Sequence, residues 1–304
     1  MSFKSIVIPF LQRMPFIRRL QEEIDLFNKN SRFPVGHFYS PIVLVDEMKA
    51  REKEIWKHEN IDLVEGIDLH LNHQVALLNA LSSYYNEMPF KAEKLTHLRY
   101  QFVNDLYSYT DGIVLYSMIR HLKPKRIIEI GSGFSSALML DTNRLFFNNS
   151  IALTFIEPFP ERLFSVMTEE DKLQARVIED FVQSVPIQYF EELEEGDILF
   201  VDSTHVVKTE SDVNHIIFNI LPSLKKGVMI HFHDIFFPFE YPKSWVFRGY
   251  NWNESYFLRA FLMYNESFEI RLFSDYMHKH HKESFSQMPL CYENSGGNIW
   301  IEKM

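Results

Sequence analysis

The chain has a single cysteine, Cys291, in 304 residues. An internal disulfide is therefore excluded, which suits a reducing compartment. Cys291 is expected to be a buried or lid thiol rather than a nucleophile. No apolar run approaches the ~20 residues that a membrane-spanning helix needs. The opening MSFKSIVIPFLQRMPFIRRL holds only a short apolar stretch, broken by Pro9 and Pro15. It is not read as a secretory signal, and a cytoplasmic protein is expected. The mixture of Phe10, Arg13, Phe16, Arg18 and Arg19 reads as an amphipathic start to the domain rather than a membrane-surface anchor. Positive charge is in deficit, with 31 Lys and Arg against 41 Asp and Glu, for a net charge of −10. Such a chain repels phosphate backbones and has no long basic block to reverse this locally, so nucleic acid is not an expected partner. Internal repeats and low-complexity tracts are also missing.

What remains is an ordinary globular composition, 46% hydrophobic and 24% charged, enough for a large core. Residues 1–30 carry Ile17, Leu20, Ile24 and Phe27 at helical spacing. The stretch 31–45 breaks that pattern with Pro34, Gly36 and Pro41, and it is crowded with Phe33, Phe38 and Tyr39. Linkers seldom hold so many aromatics, so it reads as an ordered loop. Helix-like patterns return over 46–120. Residues 1–120 are thus expected to form a helical, cap-like region, followed by a second domain over 121–304.

From Lys125 the pattern alternates between short apolar runs and amphipathic stretches. The runs are RIIEI, IALTFIE, ARVIED, GDILFVDS and VMIHFHD. This alternation predicts an α/β fold, a doubly wound, mostly parallel Rossmann-like sheet with helices on both faces. Two later runs, FEIRLF at 268–273 and GNIWIEK at 297–303, are expected to close it as an antiparallel hairpin. A polar insertion bearing His278, His280 and His281 lies between them and reads as a solvated lid.

Ligands of such sheets bind beyond the carboxyl ends of the strands. The first strand ends in Glu129 and runs into Gly131, Ser132 and Gly133, where a helix begins. Glycines allow positive φ and close approach of a ligand, and the helix start offers free N–H groups. Beside Glu129, a cofactor with an amino or cationic end fits better than a phosphate. The second strand ends in Glu157, placed for the hydroxyls of a ribose. The third ends in Glu179 and Asp180, where an acid can meet an adenine amino group. The fourth ends in Asp202, with His205 in the following turn, where an imidazole can take a proton from a hydroxyl. The fifth ends in HFHD, with His231 and His233 expected on one face and Asp234 on the other. Asp202 and Asp234 on adjacent strands can hold Mg²⁺ or a similar hard cation.

Taken in order, RIIEIGSGFSS, FIEP, DILFVDSTH and VMIHFHDIF resemble a class I S-adenosylmethionine-dependent methyltransferase. They look closest to the bacterial branch of small-molecule and sugar O-methyltransferases. FPVGHFYSP and HDIFFPFEYP extend the likeness toward the N-terminus. The resemblance implies that Glu129, Gly131, Ser132 and Gly133 hold the methionine end of the cofactor, Glu157 its ribose, and Asp180 its adenine. Asp202 would join the cofactor pocket to a cation, with Asp234 as a second ligand and no third ligand identifiable. His205 would be the general base. The related motif reads Asp-Gly-Ser-His, and here Ser203 replaces the glycine. The acceptor would be a hydroxylated small molecule or sugar, and Tyr107, Tyr109, Phe38, Tyr39, Trp245 and Trp252 are aromatics available to line its site.

Two other readings compete. A non-catalytic partner-binding module could keep the same fold. A nicotinamide-dependent oxidoreductase shares the fold class, but Ser136 stands where its third glycine belongs. Oligomeric state is not legible.

Overall fold

The computed structural model describes residues 14–57 and 61–304. The expected N-terminal helix is present as Pro15–Asn30, with proline at its first turn. The remainder of that expectation, residues 1–13 with Phe10 and Arg13, lies outside the described residues. Pro15–Asn30 buries no residue, and Phe16, Leu20, Ile24 and Phe27 stay exposed. Among the described residues, no helix is long and apolar enough to cross a membrane.

Two compact units are present, one of residues 14–55 with Lys243–Asn251, the other of Trp56–Pro242 with Trp252–Met304. In the first, residues 31–44 are neither helix nor strand, and Phe33, Phe38 and Tyr39 pack against the His37 ring. In the second, residues 56–120 share one unit with the sheet.

The sheet follows from the apolar runs. Its strands are β1 (Arg126–Ile130), β2 (Ala152–Ile156), β3 (Arg176–Ile178), β4 (Ile198–Val201), β5 (Met229–His233), β6 (Phe268–Phe273) and β7 (Asn298–Lys303). The order is β3-β2-β1-β4-β5-β7-β6, parallel from β3 to β5. The last two strands do form an antiparallel pair, with β7 against β5 and β6 at the edge. β4 and β5 are buried throughout, as central parallel strands between helical layers should be, the two histidines of β5 included. This is a Rossmann-like fold, mostly parallel with an antiparallel edge. Strand order reverses between β1 and β4, which creates a crevice at their carboxyl ends.

Two long helices back the first strand. Phe134–Phe147 follows β1, and Tyr109–Leu122 precedes it with Thr110 to Ile119 all buried. Arg99, in the loop before Tyr109, locks the first of them to the short helix Glu169–Gln174. Its backbone N–H and Nη1 donate to Asp141 at 2.6 and 2.7 Å, and Nε and Nη2 donate to Asp171 at 2.8 and 2.6 Å. Asp171 also accepts from Thr168 at the start of its own short helix. Every carboxylate oxygen is used, so the charges are paired as burial requires.

The insertion after β6 is not a solvated lid. Ser274–His280 is a packed helix, with Tyr276 and Met277 in the core. His278 stacks on Phe285 at 4.0 Å, and burial pushes its pKa down to about 4. His280 packs on Phe237. Cys291 is fully buried, and burial raises its thiol to about 12, so it is unreactive.

Removing Arg99 strands two buried carboxylates. Arg99→Leu should lower unfolding free energy by about 3–5 kcal/mol, read as a lower urea midpoint with an unchanged slope. A loss below ~1 kcal/mol, the size of an exposed ion pair, would show that the clamp holds nothing together.

Candidate active site

The carboxyl ends of β1, β2, β4 and β5 open into a cleft of about 840 Å³. Its floor is set where β1 meets β4. Gly131 has φ +79°, and a Cβ there would lie 1.8 Å from the backbone oxygen of Asp202. Only glycine allows both the left-handed turn and this contact. The Asp202 N–H then donates to the Ile130 carbonyl at 2.9 Å, extending the pairing past the strand ends. Gly133 differs. Its φ of 176° is ordinary extended backbone, and its N–H is capped by Ser136 Oγ at 3.0 Å.

Gly131, Ser132, Glu157 and Asp202 line the cleft as expected. Glu157 closes over the turn, accepting from Ser132 N–H at 3.1 Å and Phe159 N–H at 2.9 Å. Glu129, Gly133 and Asp180 do not line it. The Glu129 side chain turns inward, and its two oxygens accept from Ser135 Oγ and Ser136 Oγ, each at 2.5 Å. Burial raises its carboxyl to about 8, against the opposing effect of the two serines. Asp180 is exposed and caps the next N–H, and it is Phe181 that reaches the cleft.

The opposite end of the cleft holds a dense charge cluster. His205 takes left-handed φ of 60°, uncommon for a non-glycine residue and frequent at functional sites. Its Nε2 is 3.5 Å from Asp202 Oδ1 and 3.5 Å from Asp234 Oδ2, and its Nδ1 is 2.8 Å from Glu254 Oε2. The segment Trp252–Glu254 grips the histidine. Asn253 and Glu254 N–H both donate to the His205 carbonyl, at 3.0 and 3.2 Å. The Trp252 ring lies 4.3 Å from the imidazole. Burial opposes the imidazolium, but Asp202 and Glu254 outweigh it and raise the His205 pKa well above the usual value.

Asp234 departs from its expected place on the opposite face. It follows the last residue of β5 with φ 57°, and this left-handed turn brings its carboxylate back beside His233, Oδ1 to Nε2 at 3.5 Å. Asp202, His233 and Asp234 each present a donor atom, all within 4.8 Å of one another. His233 is thus the third member that sequence spacing did not identify. Burial raises the Asp234 carboxyl, while beside it His233 and His205 hold Asp202 low despite burial. His231 shares the face of His233 but stacks on Phe200 at 4.0 Å, fully buried, and burial keeps it neutral. It is a core residue.

Residues 128–235 match a family model described as a methyltransferase domain. An uncharacterised protein of Archaeoglobus fulgidus is 35% identical over 170 residues, 55% of this chain and 76% of its own length. The chain belongs to one family with that archaeal protein and carries a methyltransferase domain. Two solved structures have similar folds. One is an SAH-bound methyltransferase of Podospora anserina, PaMTH1, with 16% identity and a TM-score of 0.43 over 86% of this chain and 98% of that one. The other is CmcI-D160 with Mg and SAM, with 17% identity and a TM-score of 0.41 over 73% and 84%. Such likenesses say nothing of this chain's substrate.

The methyltransferase domain match ends at residue 235, yet the cleft does not. Leu106 and Trp252 complete its lining from outside that range, and Glu254 supports His205 from behind. Within the domain, Phe159, Phe181 and Arg162 line the cleft and were not singled out in sequence. A faint signal existed, because each follows a strand end or opens the next helix. Of the aromatics offered for an acceptor, Tyr107 is buried against His233 at 5.0 Å, and Tyr109 stacks on Phe102. Trp252 alone of them lines the cleft.

Glu129 makes the stability of the methyltransferase domain depend on pH. Its folded pKa of about 8 exceeds the unfolded 4.5. The native state therefore holds a proton that the unfolded state releases between these values, and stability falls as pH rises through that window. The slope is at most about 1.4 kcal/mol per pH unit. Glu129→Gln should flatten the decline in Tm between pH 5 and 8 in the ligand-free protein. An unchanged slope would place the titrating proton elsewhere.

Proposed function

We propose that this chain transfers a methyl group from S-adenosylmethionine to a hydroxyl oxygen of a small molecule or sugar, with His205 as the general base. The observation that carries this reading is the His205 clamp. Glu254 engages Nδ1, and Nε2 is left among the carboxylates at the cleft wall. An imidazole fixed in that way presents one defined nitrogen to an acceptor. The cleft also fits the cofactor. Glu157 is placed for the ribose hydroxyls, Gly131 and Ser132 for the methionine end, and Phe159 and Phe181, in edge contact at 6.2 Å, for the adenine. Glu129 and Gly133 act on that end indirectly, by holding the turn and the helix start. Asp180 acts through the position of Phe181.

When bound, S-adenosylmethionine supplies an electrophilic methyl on a sulfonium centre. His205 Nε2 would take the proton of the acceptor hydroxyl as its oxygen is methylated, with S-adenosylhomocysteine as the leaving group. Glu254 stabilises the imidazolium that results, much as a carboxylate does behind other catalytic histidines. In the bare cluster, three carboxylates favour imidazolium from the outset. A cation held by Asp202 and Asp234 would draw their charge away from His205 and would leave Nε2 able to accept. Asp202 and Asp234, with His233 beside them, would hold a divalent cation such as Mg²⁺ through their oxygens, and it would weaken the hold of the acceptor hydroxyl on its proton. Leu106 and Trp252 give the acceptor end an apolar wall, Lys208 and Asp212 a polar one. Positioning within such a wall contributes as much as the base does.

Calorimetric titration with S-adenosylmethionine should show binding that weakens roughly 10- to 100-fold in Glu157→Ala, from the loss of charged hydrogen bonds to hydroxyls. No binding to the folded parent, with or without Mg²⁺, would sink the reading. Once an acceptor has been found, His205→Asn should lower kcat by about 10²–10⁴-fold with cofactor affinity kept. Glu254→Gln should give a smaller loss that shifts the pH profile, whereas unchanged kcat in His205→Asn would remove the histidine from the chemistry.

A further inference from the structure

We propose that His70, His73 and Glu269 form a second cation site, selective for zinc or a similar borderline metal and separate from the cleft. The three residues present donor atoms that all lie within 4.8 Å of one another. His70 stands at the N-cap of the Leu71–Ser82 helix with left-handed φ of 47°. That turn is held by Asp68, whose Oδ1 accepts from the His70 N–H at 2.8 Å. His73 lies one turn further along the helix. The two imidazole rings are parallel within 6°, with centroids 5.6 Å apart. Glu269 comes from the edge strand β6, with its Oε1 2.6 Å from His73 Nδ1.

The carboxylate is fixed for this task. Arg271 Nη1 donates to Glu269 Oε1 at 2.8 Å, and Arg271 Nε bridges to Glu302 at 3.3 Å on the neighbouring strand. The guanidinium thus holds the same carboxylate that faces His73. His73 is more than half exposed, so water can reach the fourth position of a tetrahedron. Two imidazoles and one carboxylate make a donor set that suits Zn²⁺ and not Mg²⁺, which prefers oxygen alone.

Register places this site at the other end of the sheet from the cleft. Glu269 pairs with Glu302, which pairs with Met229, the first residue of β5. The cleft opens beyond His233, the last residue of that strand, about 13 Å along it at ~3.3 Å per residue. A metal here would tie the helix to the edge strand β6. Gln74, next in sequence to His73, already makes one such tie, its Oε1 accepting from the Phe273 N–H at 2.8 Å. The inference stands independently of the methyl-transfer reading.

The test is zinc titration of the tag-free full chain against a chromophoric chelator, with Tm measured alongside. One tight equivalent of Zn²⁺ is expected, unaffected by excess Mg²⁺ and retained in Asp234→Asn. In His73→Ala it should weaken by roughly 100-fold or more, the upper end of what even an outer-sphere partner costs. The zinc-induced rise in Tm should disappear in the same variant, and in Glu269→Gln, which keeps the side-chain shape. Co²⁺ should give a tetrahedral visible spectrum in the parent and not in His73→Ala. Three results would each overturn the site: no zinc bound by the folded parent, an equivalent kept in His73→Ala, or an equivalent lost only in Asp234→Asn.

Discussion

The close approach of β1 and β4 at Gly131 and Asp202 is the constraint on which the rest of this structure depends. A side chain at 131 would occupy the space of the Asp202 carbonyl. With glycine there, the two strands stay paired one residue beyond their regular ends. The glycine turn and the acid of the fourth strand are thereby brought to one rim. The helix that follows is oriented by the same turn, because its cap serines fold back onto Glu129. A single missing methyl group sets the distance between the two halves of the cleft.

The second governing feature is electrostatic. Asp202, Asp234 and Glu254 gather around His205, with His233 beside them, all within a largely buried wall. Such concentration is costly to fold, since like charges repel and burial penalises each. Backbone strain adds to that cost, with His205 and Asp234 both in the left-handed region, and the cluster is held by clamps such as the two N–H groups on the His205 carbonyl. Strain that persists in a well-packed setting is characteristic of sites shaped for chemistry. An Arg99 clamp does comparable work for the Phe134–Phe147 helix behind β1, but there Arg99 and Arg144 face Asp141 and Asp171, and none of the four lines the cleft.

Much of this could be read from residue order. The glycine turn, the acids at 157 and 202, and the histidine at 205 stand at the ends of apolar runs, and strand ends are where such a sheet keeps its ligands. The closing pair of strands was equally plain from two late β-branched and aromatic runs. Harder to see was the fate of Glu129, whose direction depends on two hydroxyls reaching back from the next helix. Asp234 was misplaced because alternation along a strand stops at the strand's end, and a left-handed residue there reverses the expected face. His233 and Glu254 were invisible as partners because neither lies near Asp202 or His205 in sequence. The histidines of 278–281 seemed polar only because their neighbours in space, Phe285 and Phe237, are not their neighbours in the chain.

By itself, the sequence determined the class of fold and the inventory of chemistry, because both rest on local regularities. Periodicity marks strands and helices, a glycine pair marks a turn, and a polar residue after an apolar run must emerge at a rim. The tertiary structure alone decided which groups meet. Glu254 reaches His205 across 49 residues, and His73 reaches Glu269 across 196. Such meetings depend on strand register and on how a helix lies against the sheet. Those are settled by the packing of the whole core, and no short stretch of residues records them.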